Sequence, residues 1–424
     1  MTKINRNFVI KFGRWSDLLF EIVLTLFFMY SFFYQYSYAP ITGAFPVFGI
    51  LIFILSFSRM RRSVKYYYQL IPLFLFAIYI TVVSVLVPYD RSISVSLLIN
   101  HFEYLLPVIG IFTYCDGKLE KLKVVFFGIW LSVSLLAIHS VFRGTVSLSG
   151  AISVGTTNML NTNTLSSFLT IGLVSSLYLL LYFTPSWWLK TIVVVSIGIQ
   201  LVSQINTASR RGIIVFVFIL LSSVFVIVRD RLKHSFFKKF LVFILVLILI
   251  AWIYSWLVDN ADTLVVFKRF RNSGYLGDVL RKQYQNAAVQ LFLESPIFGQ
   301  GLGAVQKYVG MYSHSMYYEL LACTGLLGTI LLLGVILLCN LKWFYIYSKR
   351  LKEINLSHSI GCLLACILVV SIFLGGVAVV YIYDMYFYIM IAILLSYKKT
   401  IIDYSTNLLL IESINEVEND DIEE

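Results

Sequence analysis

Residues 163–205 read NTLSSFLTIGLVSSLYLLLYFTPSWWLKTIVVVSIGIQLVSQI, and Lys190 is their only charged side chain. A helix that crosses the hydrocarbon of a bilayer needs about 20 mostly apolar residues. This stretch is long enough for two, and the turn at 185–190, with Pro185 and Lys190, divides it into 163–184 and 186–205. Neither half keeps a charged face for water, so the solvent of both is lipid. The rest of the chain agrees. Of its 424 residues, 59% are hydrophobic and 13% charged, with a mean hydropathy of +0.85. A water-soluble domain carries about 25% charged residues.

Outward from that pair, segments of spanning length recur at 17–36, 40–58, 69–88, 93–115, 121–142, 212–229, 237–257, 315–340, 356–380 and 382–397. The expected fold is all-α, a polytopic integral membrane protein with about 12 transmembrane helices. Residues 1–400 form one transmembrane domain and 401–424 an acidic tail. Lys and Arg collect on the cytoplasmic side of such proteins. With the N-terminus inside, every inside segment is basic: Arg59, Arg61, Arg62 and Lys65 after the second span, Lys118, Lys121 and Lys123 after the fourth, Arg229 to Lys239 after the eighth, Lys342 to Lys352 after the tenth. Both termini are therefore expected in the cytoplasm of a multi-pass plasma-membrane protein, with the first span as an uncleaved signal anchor. One long extracytoplasmic loop, 258–314, joins spans 9 and 10. The same bias accounts for the net charge of +11. A nucleic-acid partner would call for a basic–aromatic module or zinc spacing, and neither is present. Cys115, Cys323, Cys339, Cys362 and Cys366 show no metal-ligand pattern and read as small packing residues. The acidic end of the tail reads as a solvated, disordered segment.

Polar residues on the outer face break this pattern. Arg210 and Arg211 lie side by side between spans 7 and 8. A guanidinium at the membrane edge is costly unless paired or solvated, which makes it a functional candidate; the alternative is snorkelling to headgroups. In the long loop, Lys268, Arg269 and Arg271 precede an amphipathic helix over 278–294. Leu280, Tyr284, Ala287, Ala288 and Leu291 recur there at helical spacing. Arg281 is near its start, and Ser295-Pro296 ends it. Gly299, Gly301 and Gly303 follow outside any βαβ unit, so they predict a tight, flexible re-entry rather than a dinucleotide loop. The loop closes on His314, Ser315, Tyr317 and Glu319. Histidine suits proton exchange near neutral pH; the alternative is a solvated surface imidazole. Glu319 falls about 140° around a helix from His314 and is free to pair with an arginine of another element. Asn158, Asn161 and Asn163 offer amides that suit sugar hydroxyls or a helix cap. His101 and His139, in the outer halves of their spans, could line a cavity.

Together these features resemble the Wzy-type polysaccharide polymerases and O-antigen ligases. The resemblance rests on Ser209-Arg210-Arg211-Gly212 opening a helix, and on Arg281 ahead of an aromatic–alanine helix and the 296–303 stretch. It rests also on His314-Ser315 with a tyrosine-rich helix start, then Gly325-Leu326-Leu327-Gly328, and on Asn161-Thr162-Asn163 before a mid-chain span. It runs over residues 150–340. Thr162 stands where the family often has proline, and Tyr284 where it often has tryptophan. The resemblance implies a GT-C-like, inverting glycosyltransferase that uses neither metal nor cofactor. Its donor would be an oligosaccharide on undecaprenyl diphosphate. Its acceptor would be another lipid-linked repeat unit, yielding capsule or O-antigen, or a different acceptor for a ligase. A chain-length regulator and a flippase would be partners in the same pathway.

Within that resemblance, Arg210, Arg211 and Arg281 would clamp the diphosphate, because a guanidinium binds phosphate oxygens bidentately. His314 would be the general base for the acceptor hydroxyl or a diphosphate contact. Asn163, Tyr317 and Glu319 would bind substrate. Polymerase is the expected activity, because a ligase needs a host-specific acceptor that nothing in the sequence identifies. The competing reading of another class is a lipid-linked oligosaccharide flippase. Such a transporter should show internal repeats and midplane ionisable residues. No half-to-half repeat is seen, and Glu103 and Asp384 are the most conspicuous mid-span charges.

Overall fold

The computed structural model describes residues 3–38, 41, 43–63, 70–115, 119–146, 152–153, 162–183, 186–231, 244, 255, 276–334, 385 and 387–396. The described chain is helical apart from a two-residue antiparallel ladder, β1 (Thr145–Val146) with β2 (Ile152–Ser153). The helices are α1 (Lys3–Phe28), continued by a π-helical turn at Met29–Tyr34, α2 (Ala44–Ser63), α3 (Ile71–Leu86), α4 (Arg91–Cys115) and α5 (Leu119–Arg143). After the ladder come α6 (Thr162–Tyr178), α7 (Trp187–Asn206), α8 (Arg210–Arg231), α9 (Leu276–Glu294), α10 (Ala304–Val309) and α11 (Met316–Thr329). The last described helix is α12 (Phe387–Ser396).

Thr191–Val195 are all β-branched, yet they are helical. In lipid every backbone N–H and C=O must find its partner within the segment, which overrides strand propensity. Local signals set the ends. The Ser186 hydroxyl accepts the Leu189 N–H at the start of α7, Asp90 Oδ1 accepts the Ile93 N–H at the start of α4, and Pro72 lies in the first turn of α3.

Six described helices are long and apolar enough to cross a membrane: Trp15–Tyr34, Arg91–Cys115, Lys121–Arg143, Thr162–Leu181, Trp187–Asn206 and Met316–Gly334. Ala44–Phe57, Ile71–Leu86 and Phe387–Ser396 are shorter apolar helices. The expected spans at 237–257, where only Ile244 and Ser255 are described, and at 356–380 lie outside the described residues. So do the tail at 401–424 and residues 258–275 of the long loop.

Contacts define the direction of the helices. The Phe20 and Tyr114 rings stack at 4.4 Å and Lys121 pairs with Asp17 at 3.9 Å. The end of α4 and the start of α5 therefore share one end of the bundle. At the other end, Ser140 Oγ of α5 meets Ser203 Oγ of α7 at 2.5 Å, and Gln204 Nε2 donates to Ser166 Oγ of α6 at 2.8 Å. Between them the Trp130 indole donates to Ser196, and Gln200 donates to Ser134 and Ser176. Buried polar side chains of this kind join helices that lipid alone would not drive together. The α3–α4 turn, the C-terminal ends of α5 and α7 and the N-terminal ends of α6 and α8 thus lie together.

The helix expected over 278–294 is α9, which ends at Glu294, just before Ser295-Pro296. Ala288 and Leu291 pack against Ala304, Val305, Ala322 and Cys323 and Ala287 is buried, whereas Leu280 stays 39% exposed. The glycine stretch is tight, but it is tied down rather than free. Gln300 N and Gly301 N donate to the carbonyls of Ala322 and Cys323, each at 2.9 Å. In return Leu326 N and Leu327 N donate to Pro296 and Ile297. This exchange is possible because α11 breaks at Gly325 (φ 61°, ψ −167°). The Tyr79 hydroxyl of α3 donates to the carbonyls of Phe298 and Thr324. Ser94 holds the Leu302 carbonyl, and Lys307 pairs with Asp90 at 2.9 Å. The segment from 296 to 307 is thereby docked on the α3–α4 turn, at the bundle end just described.

Candidate functional site

Two clusters form at that end, and between them they hold most of the residues singled out from sequence. The first is built where α7 turns into α8 over the start of α6. Ala208 takes a positive φ of 52°, which lets the chain reverse within three residues. Ser209 Oγ then accepts the Gly212 N–H as the N-cap of α8 and donates to Asn163 Oδ1 at 3.1 Å. Arg211 Nη2 donates to the Asn163 carbonyl and to Ser167 Oγ, each at 2.9 Å. A Cβ on Gly212 would run into Ser166 Oγ and Gln204 Nε2, so only glycine lets α8 approach α6 this closely. Arg211 is thus anchored to α6 rather than snorkelling at random. Arg210, beside it, is half-buried. The Asn163 side-chain oxygen is engaged inside the protein by Ser209. Residues Asn158 and Asn161 lie outside the described residues.

The second cluster joins α9, the end of the long loop and α11. His314 has a φ of 56°. Its imidazole lies between Tyr312, with ring centroids 4.5 Å apart, and Tyr284 of α9, at 5.9 Å. Burial, and then the positive charge of Arg281, push the His314 pKa down to about 4. Both causes disfavour the imidazolium, so the ring is neutral at pH 7 and its base form is the populated one. Glu319, in the first turn of α11, is fully buried and accepts the Ser313 N–H at 2.7 Å. Tyr317 packs against the main core of the bundle. His101 is buried and hydrogen-bonds through Nδ1 to the Tyr388 hydroxyl. His139 is partly buried, with its ring near Phe33 and Tyr38.

The structure brings Asn163 and Arg211 together in one cluster, and Arg281, His314 and Glu319 in the other. Both sit at one end of the bundle. Sequence reasoning passed over Ser167 and Ser313, which hold Arg211 and the His314 turn. Ser167 carried a signal, since it lies four residues after Asn163 and so on the same helix face. Ser313 carried none, because its partner is fixed by how the loop folds back on α11. Among the described residues no group of three His, Cys, Asp or Glu side chains could hold a metal ion.

A family model described as O-antigen ligase matches residues 196–333, from within α7 to just beyond α11. No curated protein matches the chain.

Proposed function

We propose that this chain, residues 196–333 of which match a family model described as O-antigen ligase, polymerises oligosaccharide repeat units linked to undecaprenyl diphosphate. Transfer of a lipid-linked glycan is the chemistry this family points to. The further commitments are ours: the acceptor is a second lipid-linked repeat unit, the reaction inverts the anomeric centre without a metal, and the site faces away from the cytoplasm.

The observation that carries the reading is the His314 imidazole, set between Tyr312 and Tyr284 and close enough to Arg281 to feel its charge, at the bundle end where Arg211 is anchored. In the proposed step an acceptor hydroxyl attacks the anomeric carbon of the donor. The C–O bond to the diphosphate breaks, the lipid diphosphate leaves with the electron pair, and the hydroxyl proton passes to His314. Charge grows on the diphosphate as the bond breaks. Arg210, Arg211 and Arg281 meet that charge with cations already in place, which is where electrostatic stabilisation is worth most. An arriving diphosphate also offsets the Arg281 field at His314. The imidazole pKa then rises toward the working pH, where a general base is most effective.

The match's own description favours a second reading, a ligase that passes the glycan to another acceptor. Both readings use the same donor chemistry. Purified protein in nanodiscs with chelator, given a synthetic undecaprenyl-diphosphate repeat unit, should yield a ladder of products. His314→Ala should abolish the ladder at normal protein level, a loss of about 10²–10⁴-fold. Arg210→Lys should also impair it, because an ammonium cannot reproduce the two-pronged contact. No ladder but transfer to a different acceptor would mean a ligase. No transfer at all, with lipid movement across a vesicle, would mean a flippase.

A further inference from the structure

Glu319 is fully buried beneath the turn that bears His314. A carboxyl group withdrawn from water must be met by donors. One of them is the backbone N–H of Ser313, 2.7 Å from Oε2. The Ser313 hydroxyl in turn donates to the Ser315 carbonyl at 2.8 Å and accepts the Ser315 N–H at 3.3 Å. The residues on both sides of His314 are therefore tied, one to the other and through Ser313 to α11. His314 between them has a φ of 56°. A residue with a Cβ visits this left-handed region only rarely and at a cost, so something must hold it there. The conformation sends the imidazole between Tyr312 and Tyr284.

We propose that Glu319 is a positioning residue for His314: its carboxyl oxygen, through the Ser313 N–H, holds the turn that aims the imidazole at the acceptor hydroxyl. The inference rests on the reading of His314 as the general base. It also revises the role suggested by the resemblance, because a fully buried Glu319 acts on the turn and not on the sugar. Without that acceptor the turn relaxes out of the left-handed region and the ring swings away. A misplacement of about 1 Å costs on the order of a hundredfold in rate.

The test is steady-state transfer in nanodiscs by Glu319→Gln, Glu319→Leu and Glu319→Asp, with His314→Ala and the double variant His314→Ala/Glu319→Leu alongside. Gln keeps an oxygen at the right reach, so its kcat should stay within about threefold of the parent, a loss no larger than one modest hydrogen-bond difference. Leu removes the acceptor, so kcat should fall about a hundredfold while KM for the lipid-linked donor is unchanged. The double variant should be no slower than His314→Ala alone, since residues acting through one group are not additive. If Glu319→Leu does not fold, Glu319→Asp carries the test. It keeps the carboxyl group but shortens the reach by one methylene, and its kcat should also fall. Parent-like kcat in Leu or Asp, a Gln variant as slow as Leu, or a change confined to KM would each overturn the inference. Transfer retained by His314→Ala would instead sink the base assignment, and that result is read independently of Glu319.

Discussion

His314 shows how much of the chemistry is set by the immediate surroundings of one residue. A solvated imidazole titrates near 6.5; here burial and Arg281 lower that to about 4. The sign follows directly. Between those two values the unfolded chain binds a proton that the folded chain refuses, so stability is highest above pH 6.5 and falls as the pH drops through that window. Thermal unfolding of the purified protein should therefore show a Tm that declines from pH 6.5 to 4.5, and the decline should be smaller in His314→Gln. Arg211 shows the complementary case. Its charge could be placed from sequence, but its two anchors on α6, the Asn163 carbonyl and the Ser167 hydroxyl, come from a residue pair 48 and 44 positions away.

At the scale of elements, the most consequential feature is the exchange of backbone hydrogen bonds between the 296–301 segment and α11. A helix interrupted inside an apolar span leaves carbonyls and N–H groups that lipid cannot satisfy. Here the loop satisfies them, and the fit is backbone against backbone. A Cβ on Gly299 would lie 2.5 Å from the Cys323 carbonyl carbon and oxygen, and one on Gly325 would strike the Ile297 carbonyl. Both positions also have positive φ. Gly299→Ala and Gly325→Ala should each cost more than about 2 kcal/mol, the scale of strained backbone and overpacking combined. Gly198→Ala is the contrast. That glycine is inside α7 with nothing within 4 Å of the added atom, so the change should be neutral or stabilising by up to about 1 kcal/mol. Tm measured in one detergent for the three variants checks both statements.

At the scale of the whole molecule, helix direction brings the two clusters to one end, and the proposed function places that end outside the cytoplasm. Single cysteines introduced at Lys307 and Tyr89, which are exposed beside the α3–α4 turn, should react with a membrane-impermeant maleimide in intact cells. A cysteine at Ser186, at the opposite end of α7, should react only after the cells are opened. The native Cys115 and Cys323 are buried and should add little background, and Cys339, Cys362 and Cys366 are replaced by serine beforehand. The reverse pattern would invert the topology and with it the site's access to a flipped lipid-linked substrate.

Hydropathy is a local property, summed over about 20 residues, and so the membrane-spanning character of 163–205, the helical class and the amphipathic α9 were legible in the sequence by itself. Arg211 and His314 could be named there too, because a charge or an imidazole is conspicuous in an apolar chain wherever it points. Contacts are not local. Nothing in the sequence near Gly325 says that the helix breaks and that residues 296–301 fill the break. Nothing near Glu319 says that its carboxyl turns back to the Ser313 N–H. Those outcomes depend on which buried polar group finds which partner once the helices are packed. Each unpaired group in a water-free interior costs too much to leave alone, and only the tertiary structure decides how that demand is met.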